Sequence, residues 1–337
     1  MKPINLSVAF DMRAPDWGAP RAELYKAAVE MAAFADRIGV AGINLMEHHG
    51  SEDGYLPQPF TLAAAMAAVT SQIQFSLGAV ILPLHDPVII AEQIAVLDLI
   101  SGGRARVIFG AGYVPSEFAM FNTSTKDRAK RLDAGIEIIL RALRGERFEF
   151  EGRPVFVRPL PTKDPADIIM AGGAVPASAR RAAKFDIGLG PMNAETADLY
   201  VEECKRLGRP PRTYFRPVPG MPLGVHLCED PEAGWKAIEP HAVHVITEYA
   251  KWAAQEGDAS NSPFKGLTDP AVLRQAGLFA AWTPQMLLDA LPRLPAHGTI
   301  SFQPLLGGLA PEEGWKSLRL LEQTLPAMRT RLAELDG

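Results

Sequence analysis

Apolar residues along the chain fall into two patterns. Short runs of three to ten mostly apolar positions read as strands buried on both faces. Longer stretches in which apolar residues recur every three or four positions read as amphipathic helices. The runs lie at residues 4–10, 42–46, 73–82, 105–109, 168–171, 187–189, 223–228 and 299–303. The helical stretches cover residues 22–38, 59–69, 127–144, 175–184, 194–207, 232–254, 284–291 and 314–332. A further helix is opened by Pro87, carries Ile90, Ile94 and Leu97 on one face, and is stopped by Ser101-Gly102-Gly103. Eight strands, each followed by a helix, predict an α/β fold: a single-domain (β/α)8 barrel over residues 1–337. Two segments depart from the rhythm. Residues 147–159 alternate around Glu151-Gly152 and predict a small hairpin. Residues 257–280 fit no regular element and exceed ordinary loop lengths, which makes them a candidate lid over the barrel mouth.

Composition narrows the class. With 337 residues, 47% of them hydrophobic, the chain can bury a large core. The net charge of −5 and the absence of a Lys/Arg block give no phosphate-backbone footprint, so a nucleic-acid partner is not expected. The N-terminal apolar run is too short for a signal peptide or a membrane span. Two unclustered cysteines, Cys204 and Cys228, fit reduced thiols in a cytoplasmic protein and show no zinc spacing.

Candidate chemistry sits where the predicted strands end. Glu47-His48-His49 follows the second strand, and in this architecture the carboxyl ends of strands carry the active site. His48 can exchange a proton near neutral pH, with Glu47 to orient or charge-balance it. The alternative is a pair of hydrogen-bonded histidines that only cap a strand. Adjacent strand residues point to opposite faces, so His48 and His49 do not readily share an ion, and no metal is expected. Ala171-Gly172-Gly173-Ala174 ends the fifth strand before a helix. Its backbone suits a phosphate at a helix N-terminus, with Ser178 one turn in and Arg180 and Arg181 nearby; an ordinary turn needing glycine is the other reading. Gly110-Ala111-Gly112-Tyr113 after the fourth strand lacks the third glycine of a dinucleotide fingerprint and better suits close approach to a flat ring, or a plain tight turn. In His85-Asp86-Pro87, Asp86 reads as a helix cap and His85 as a loop residue; a catalytic His85-Asp86 pair is the other reading.

The ordered series is specific. Glu47-His48-His49 is followed by Gly78-Ala79-Val80-Ile81-Leu82-Pro83 and His85-Asp86-Pro87. Ala91-Glu92-Gln93, Leu97-Asp98, Ser101-Gly102-Gly103-Arg104, Gly110-Ala111-Gly112 and Glu117-Phe118 come next, and Gly172-Gly173 and the closing segment from Gly307-Gly308 to Arg329 complete it. It resembles the bacterial luciferase-like monooxygenases over essentially the whole chain. The resemblance implies a barrel that binds reduced FMN at its carboxyl-end face. It implies a catalytic histidine at His48 with Glu47 holding it, a phosphate site at Gly172, Gly173, Ala174 and Ser178, and a flavin-contacting arginine at Arg128. It also implies a non-proline cis peptide at Gly78–Ala79 beneath the ring, with Gly110, Gly112 and Tyr113 lining the site.

The implied reaction is that of a two-component monooxygenase. A separate NAD(P)H:flavin reductase supplies FMNH2, O2 adds to give a flavin peroxide in a dry pocket, and a small apolar substrate is oxygenated beneath a lid carrying Phe264 and Phe279. Family members commonly form homodimers through barrel helices, and the Ala-rich face of helix 59–69 would allow close packing. Two departures matter. Gly110 stands where the luciferase alpha subunit has a reactive cysteine, so light emission is not expected. Ser116-Glu117 replaces the Asn-Glu frequent in the deazaflavin-using branch, which favours FMN, with an F420-dependent dehydrogenase as the alternative. A flavin-binding protein without turnover is a further alternative.

Overall fold

In the computed structural model, residues 4–255, 264, 266–295 and 298–335 are described. In chain order the first half runs β1 (Asn5–Phe10), α1 (Arg21–Ile38), β2 (Gly42–Leu45), α2 (Pro59–Ala67), β3 (Gln74–Ile81), α3 (Pro87–Ser101), β4 (Ala105–Gly110), α4 (Pro115–Met120), α5 (Arg128–Leu143), β5 (Phe148–Phe150), β6 (Arg153–Val155) and α6 (Pro165–Ile168). The second half runs β7 (Ile169–Gly173), α7 (Pro176–Phe185), β8 (Gly188–Pro191), α8 (Ala194–Arg206), β9 (Gly224–Leu227), α9 (Pro231–Gln255), α10 (Pro270–Ala276), β10 (Phe279–Trp282), α11 (Pro284–Ala290), β11 (Thr299–Phe302) and α12 (Pro311–Glu334). Each of the eight predicted strands lies within two residues of an observed one.

The chain divides into two compact units: Met1–Asn44, Ser51–Leu56 and Val218–Gly337 form one, and Leu45–Gly50 with Pro57–Pro217 the other. In the first unit β1 pairs with β11, β11 with β9, and β9 with β10, all parallel. Strand β10 corrects the expectation for residues 257–280. Residues 257–263 and 265 lie outside the described residues, but residues 270–282 hold a helix and then a strand. Phe279 is no lid residue. It is 3% exposed and packs with Trp235, Ile238 and Leu273 in the core against α9. A four-residue strand, FAAW, gives too short an apolar signal beside the Gly/Pro-rich stretch before it.

In the second unit β3 pairs with β4, β4 with β7, and β7 with β8, again all parallel. The β5–β6 hairpin is antiparallel, and its turn places Glu151 and Gly152 at φ 49° and 72°, as the alternating stretch predicts. Asp86 caps α3 by accepting from the Val88 N–H at 2.8 Å, which bears out that reading. Arg104 is buried and donates to the carbonyls of Ala67, Thr70, Ile73 and Ser101, so it ties the ends of α2 and α3 to the start of β4.

Candidate active site

The sequence-predicted site residues all belong to the second unit. Glu47, His48 and His49 follow β2 and are 2%, 8% and 6% exposed. Just past β2 the two adjacent imidazoles go to different partners. His48 Nδ1 lies 2.8 Å from Glu117 Oε1, and the His49 N–H donates to the same oxygen at 2.8 Å. The His49 ring turns the other way, with Nε2 2.5 Å from Glu47 Oε1.

This corrects two expectations. The carboxylate that orients His48 is Glu117, in the first turn of α4, and not Glu47. His85 is not a plain loop residue: its Nε2 lies 2.6 Å from Glu47 Oε1. Glu47 therefore sits between two imidazoles, and its other oxygen accepts from the Ile81 N–H at 3.2 Å. Burial alone would raise the Glu47 carboxyl. The hydrogen bonds from His49 and His85, with the field of both rings, outweigh burial and hold it below its ordinary value. Glu117 is 1% exposed, and its Oε2 has no hydrogen-bond partner among the described residues. The signal for it lay in the sequence as a lone acid behind Pro115. Only contact over 69 positions shows that it serves His48.

Aromatic rings close around these groups. Tyr113 meets the His48 ring edge-on at 6.0 Å, and Phe121 meets His49 at 4.7 Å. Such cover shields a proton-handling pair from bulk water.

Beside the pair, the strands of this unit carry glycines toward their carboxyl ends. A Cβ on Gly78, Gly172 or Gly190 would come within 2.8–2.9 Å of the Ile108 side chain, and one on Gly110 would meet the Ala79 Cβ at 2.8 Å. Gly112, at φ 71°, has Ile81 and Phe118 against its free side. The peptide Gly78–Ala79 is cis. The result is a partly exposed stretch of bare backbone around the Ile108 side chain, with no space for a further side chain. At the next turn Gly173 has φ 136°, a conformation side chains rarely adopt, and a Cβ there would run into Ser178 Oγ. Ser178 is 3% exposed at the start of α7, whereas Ala174 and Val175 are exposed. These features fit a phosphate held by backbone N–H groups at a helix N-terminus. Arg128 opens α5 and is half-buried. Arg180 and Arg181 are engaged by Glu203 and Asp133 on neighbouring helices, which takes them out of the phosphate reading.

A second polar cluster, in the first unit, escaped the sequence reading. Arg13 is fully buried, 2.5 Å from Asp53 and 4.0 Å from Asp11. Its guanidinium lies 4.4 Å from the Tyr55 ring centre, 4.9 Å from Trp252 and 5.2 Å from Tyr249. His244 Nε2 lies 2.8 Å from Asp53. No spacing in the sequence joins residues this far apart.

The second unit is thus an α/β arrangement of parallel strands with glycine-rich carboxyl ends beside a buried histidine–carboxylate pair. The family model described as luciferase-like monooxygenase matches residues 6–286, and the chain belongs to that family. Its fold class is that family's (β/α)8 barrel. Among curated relatives, an uncharacterised protein of Sinorhizobium fredii is 32% identical over 149 residues, 42% of this chain and 44% of that protein. Limonene 1,2-monooxygenase of Rhodococcus erythropolis is 34% identical over 122 residues, 35% of this chain and 30% of that protein. These matches span less than half of each relative's own length. Among solved structures, the monooxygenase RslO1 of Streptomyces bottropensis has a TM-score of 0.73 at 26% identity, covering 96% of this chain and 99% of that one. The FMN-bound oxygenating constituent of 3,6-diketocamphane monooxygenase of Pseudomonas putida has a TM-score of 0.70 at 17% identity, covering 96% and 98%. The coenzyme F420 dependent tetrahydromethanopterin reductase of Methanopyrus kandleri has a TM-score of 0.66 at 16% identity, covering 97% and 99%.

Proposed function

We propose that this chain is a flavin-dependent monooxygenase that uses reduced FMN and O2 to oxygenate a small apolar molecule. One oxygen atom enters the substrate and the other leaves as water. The observation that carries this reading is the pairing of a side-chain-free glycine floor with a buried His48–Glu117 pair in one unit. Gly78, Ala79, Gly110, Gly112 and Tyr113 would lie along the ring, and Gly172, Gly173, Ala174, Ser178 and Arg128 would hold the phosphate end. When bound, the reduced flavin supplies the electrons that activate O2.

The chain's own part is proton handling and shielding. Glu117, 2.8 Å from His48 Nδ1, orients the ring that gives or takes the proton and stabilises the imidazolium when it forms. Glu47 fixes His49 and His85 behind this pair. Tyr113 lies edge-on against the His48 ring and helps to cover it.

The test is direct. His48→Ala should bind FMN within about twofold of wild type while product formation falls by roughly 10²–10⁴, measured with a flavin reductase and a panel of apolar substrates. Full turnover in that variant would remove His48 from the mechanism. The F420-dependent alternative is supported by F420-dependent enzymes among the similar solved structures, and parallel titration with FMN and F420 separates the two. FMN binding with no O2 consumption under any reductant would favour the flavin-storage reading.

The remaining expectations have support of different kinds. A cytoplasmic setting is in keeping with two unpaired cysteines. Among the described residues no helix is long and apolar enough to cross a membrane. A homodimer is supported by exposed apolar side chains on α3: Ile89, Val96, Leu99 and Ile100 are 44–53% exposed, with Val69 at 48% beyond α2. The separate reductase rests on the family alone.

A further inference from the structure

We propose that Glu47, His49 and His85 form a binding site for one divalent transition-metal ion of the Zn²⁺ or Co²⁺ class. One carboxylate oxygen and two imidazole nitrogens lie within 4.8 Å of one another. Two histidines and a carboxylate form the donor set of many three-ligand zinc sites, in which a water or small ligand completes the tetrahedron. His48, the neighbour in sequence, takes no part, because its Nδ1 is bound to Glu117.

The surroundings satisfy what such a site needs. Glu47 and His49 are buried at 2% and 6% exposure. The Ile81 N–H holds the second oxygen of Glu47 and so fixes the carboxylate plane. The ring of Phe121 packs against both imidazoles, at 4.7 Å from His49 and 6.3 Å from His85, and supplies a dry wall. The His85 side chain is 17% exposed and provides the entry path.

The donors need only a small adjustment. A tetrahedral ion about 2.1 Å from each donor holds them roughly 3.4 Å apart. The two nitrogens now lie 2.5 and 2.6 Å from the shared oxygen. Outward movement of less than about 1 Å opens the site. His85 can supply it, because it sits in the short connection between Leu84 and α3 rather than in a helix or strand.

Chelator-stripped full-length protein is titrated with Co²⁺ and followed by visible absorption, then challenged with Zn²⁺. Thermal melts are recorded with and without Zn²⁺, and flavin plays no part in either readout. The expected result is one Co²⁺ per chain, displaced by Zn²⁺, and a melting midpoint raised by the ion. His85→Ala should weaken binding at least tenfold and abolish the rise in midpoint, while His48→Ala should bind as wild type does. If His85→Ala does not fold, His85→Gln takes its place. The proposal is overturned if wild type shows no saturable Co²⁺ band, or if binding is lost in His48→Ala and kept in the His85 variant.

Discussion

At the scale of single residues, the decisive contact is Glu117 to His48. A carboxylate oxygen 2.8 Å from Nδ1 favours the ring tautomer with hydrogen on that nitrogen. Glu117→Gln keeps an acceptor and the volume but loses the charge. It should lower kcat by roughly 10²-fold and shift the acidic limb of the pH–rate profile, with FMN affinity within about twofold. An unchanged profile in stopped-flow and steady-state assays would leave Glu117 with a structural role only. His226 on β9 makes a second prediction. Burial pushes its imidazole down to about 4, with smaller opposed effects from Glu313 and Lys316. The unfolded chain binds this proton at the ordinary 6.5, so between pH 6.5 and 4 the unfolded state carries more protons than the folded one. Stability should therefore fall as pH drops through that window, by up to about 3 kcal/mol from this group. His226→Leu should flatten that part of the curve, as urea melts at stepped pH would show.

At the scale of elements, Arg13 is the tie within the first unit. It stands just past β1, holds Asp53 of the Ser51–Leu56 segment, and lies among Tyr55, Tyr249 and Trp252, the last two on α9. Two carboxylates and His244 share its field. A buried ion pair adds little over an apolar replacement of both partners, but removing one partner strands the other. Arg13→Met should cost about 3–5 kcal/mol in denaturant melts. The double variant Arg13→Met with Asp53→Leu should recover much of that loss; if it is as unstable as the single change, the ion pair is not the cause. The elements around the candidate site were legible from pattern because each strand is a predominantly apolar run and each long helix has a clear start. Prolines fall at the first helical turn of α2, α3, α7 and α12, where the missing N–H costs nothing. Helix α4, six residues long, was not legible, and neither was strand β10, whose four residues follow a Gly/Pro-rich stretch with no clear start. Elements that short exist by virtue of what they pack against.

At the scale of the whole molecule, the exposed apolar side chains of α3 call for a covering surface. Ile89, Val96 and Ile100 recur at helical spacing on one face, and single exposed apolar residues are ordinary whereas a stripe is not. A second copy of the chain is the expected cover. Light scattering should give twice the mass of one chain, and Ile89→Glu with Ile100→Glu should give a monomer that keeps its circular dichroism. A monomeric wild type at micromolar concentration would leave the stripe to another partner.

The order of the eight predicted strands and the longer helices, the hairpin, the Asp86 cap and the positions of the glycine turns are properties of the sequence alone. They follow from local periodicity, from φ restrictions at Pro and Gly, and from side chains that reach only their near neighbours. Which carboxylate meets which histidine is a different matter. Glu47 stands next to His48 in the chain yet turns to His49 and to His85, 38 positions away, while His48 finds its acid 69 positions away. The partners of these adjacent side chains come from whichever loops the parallel strands bring to the same end. Tertiary structure therefore decided the pairing of acids and imidazoles, because that pairing depends on distances that no local pattern encodes.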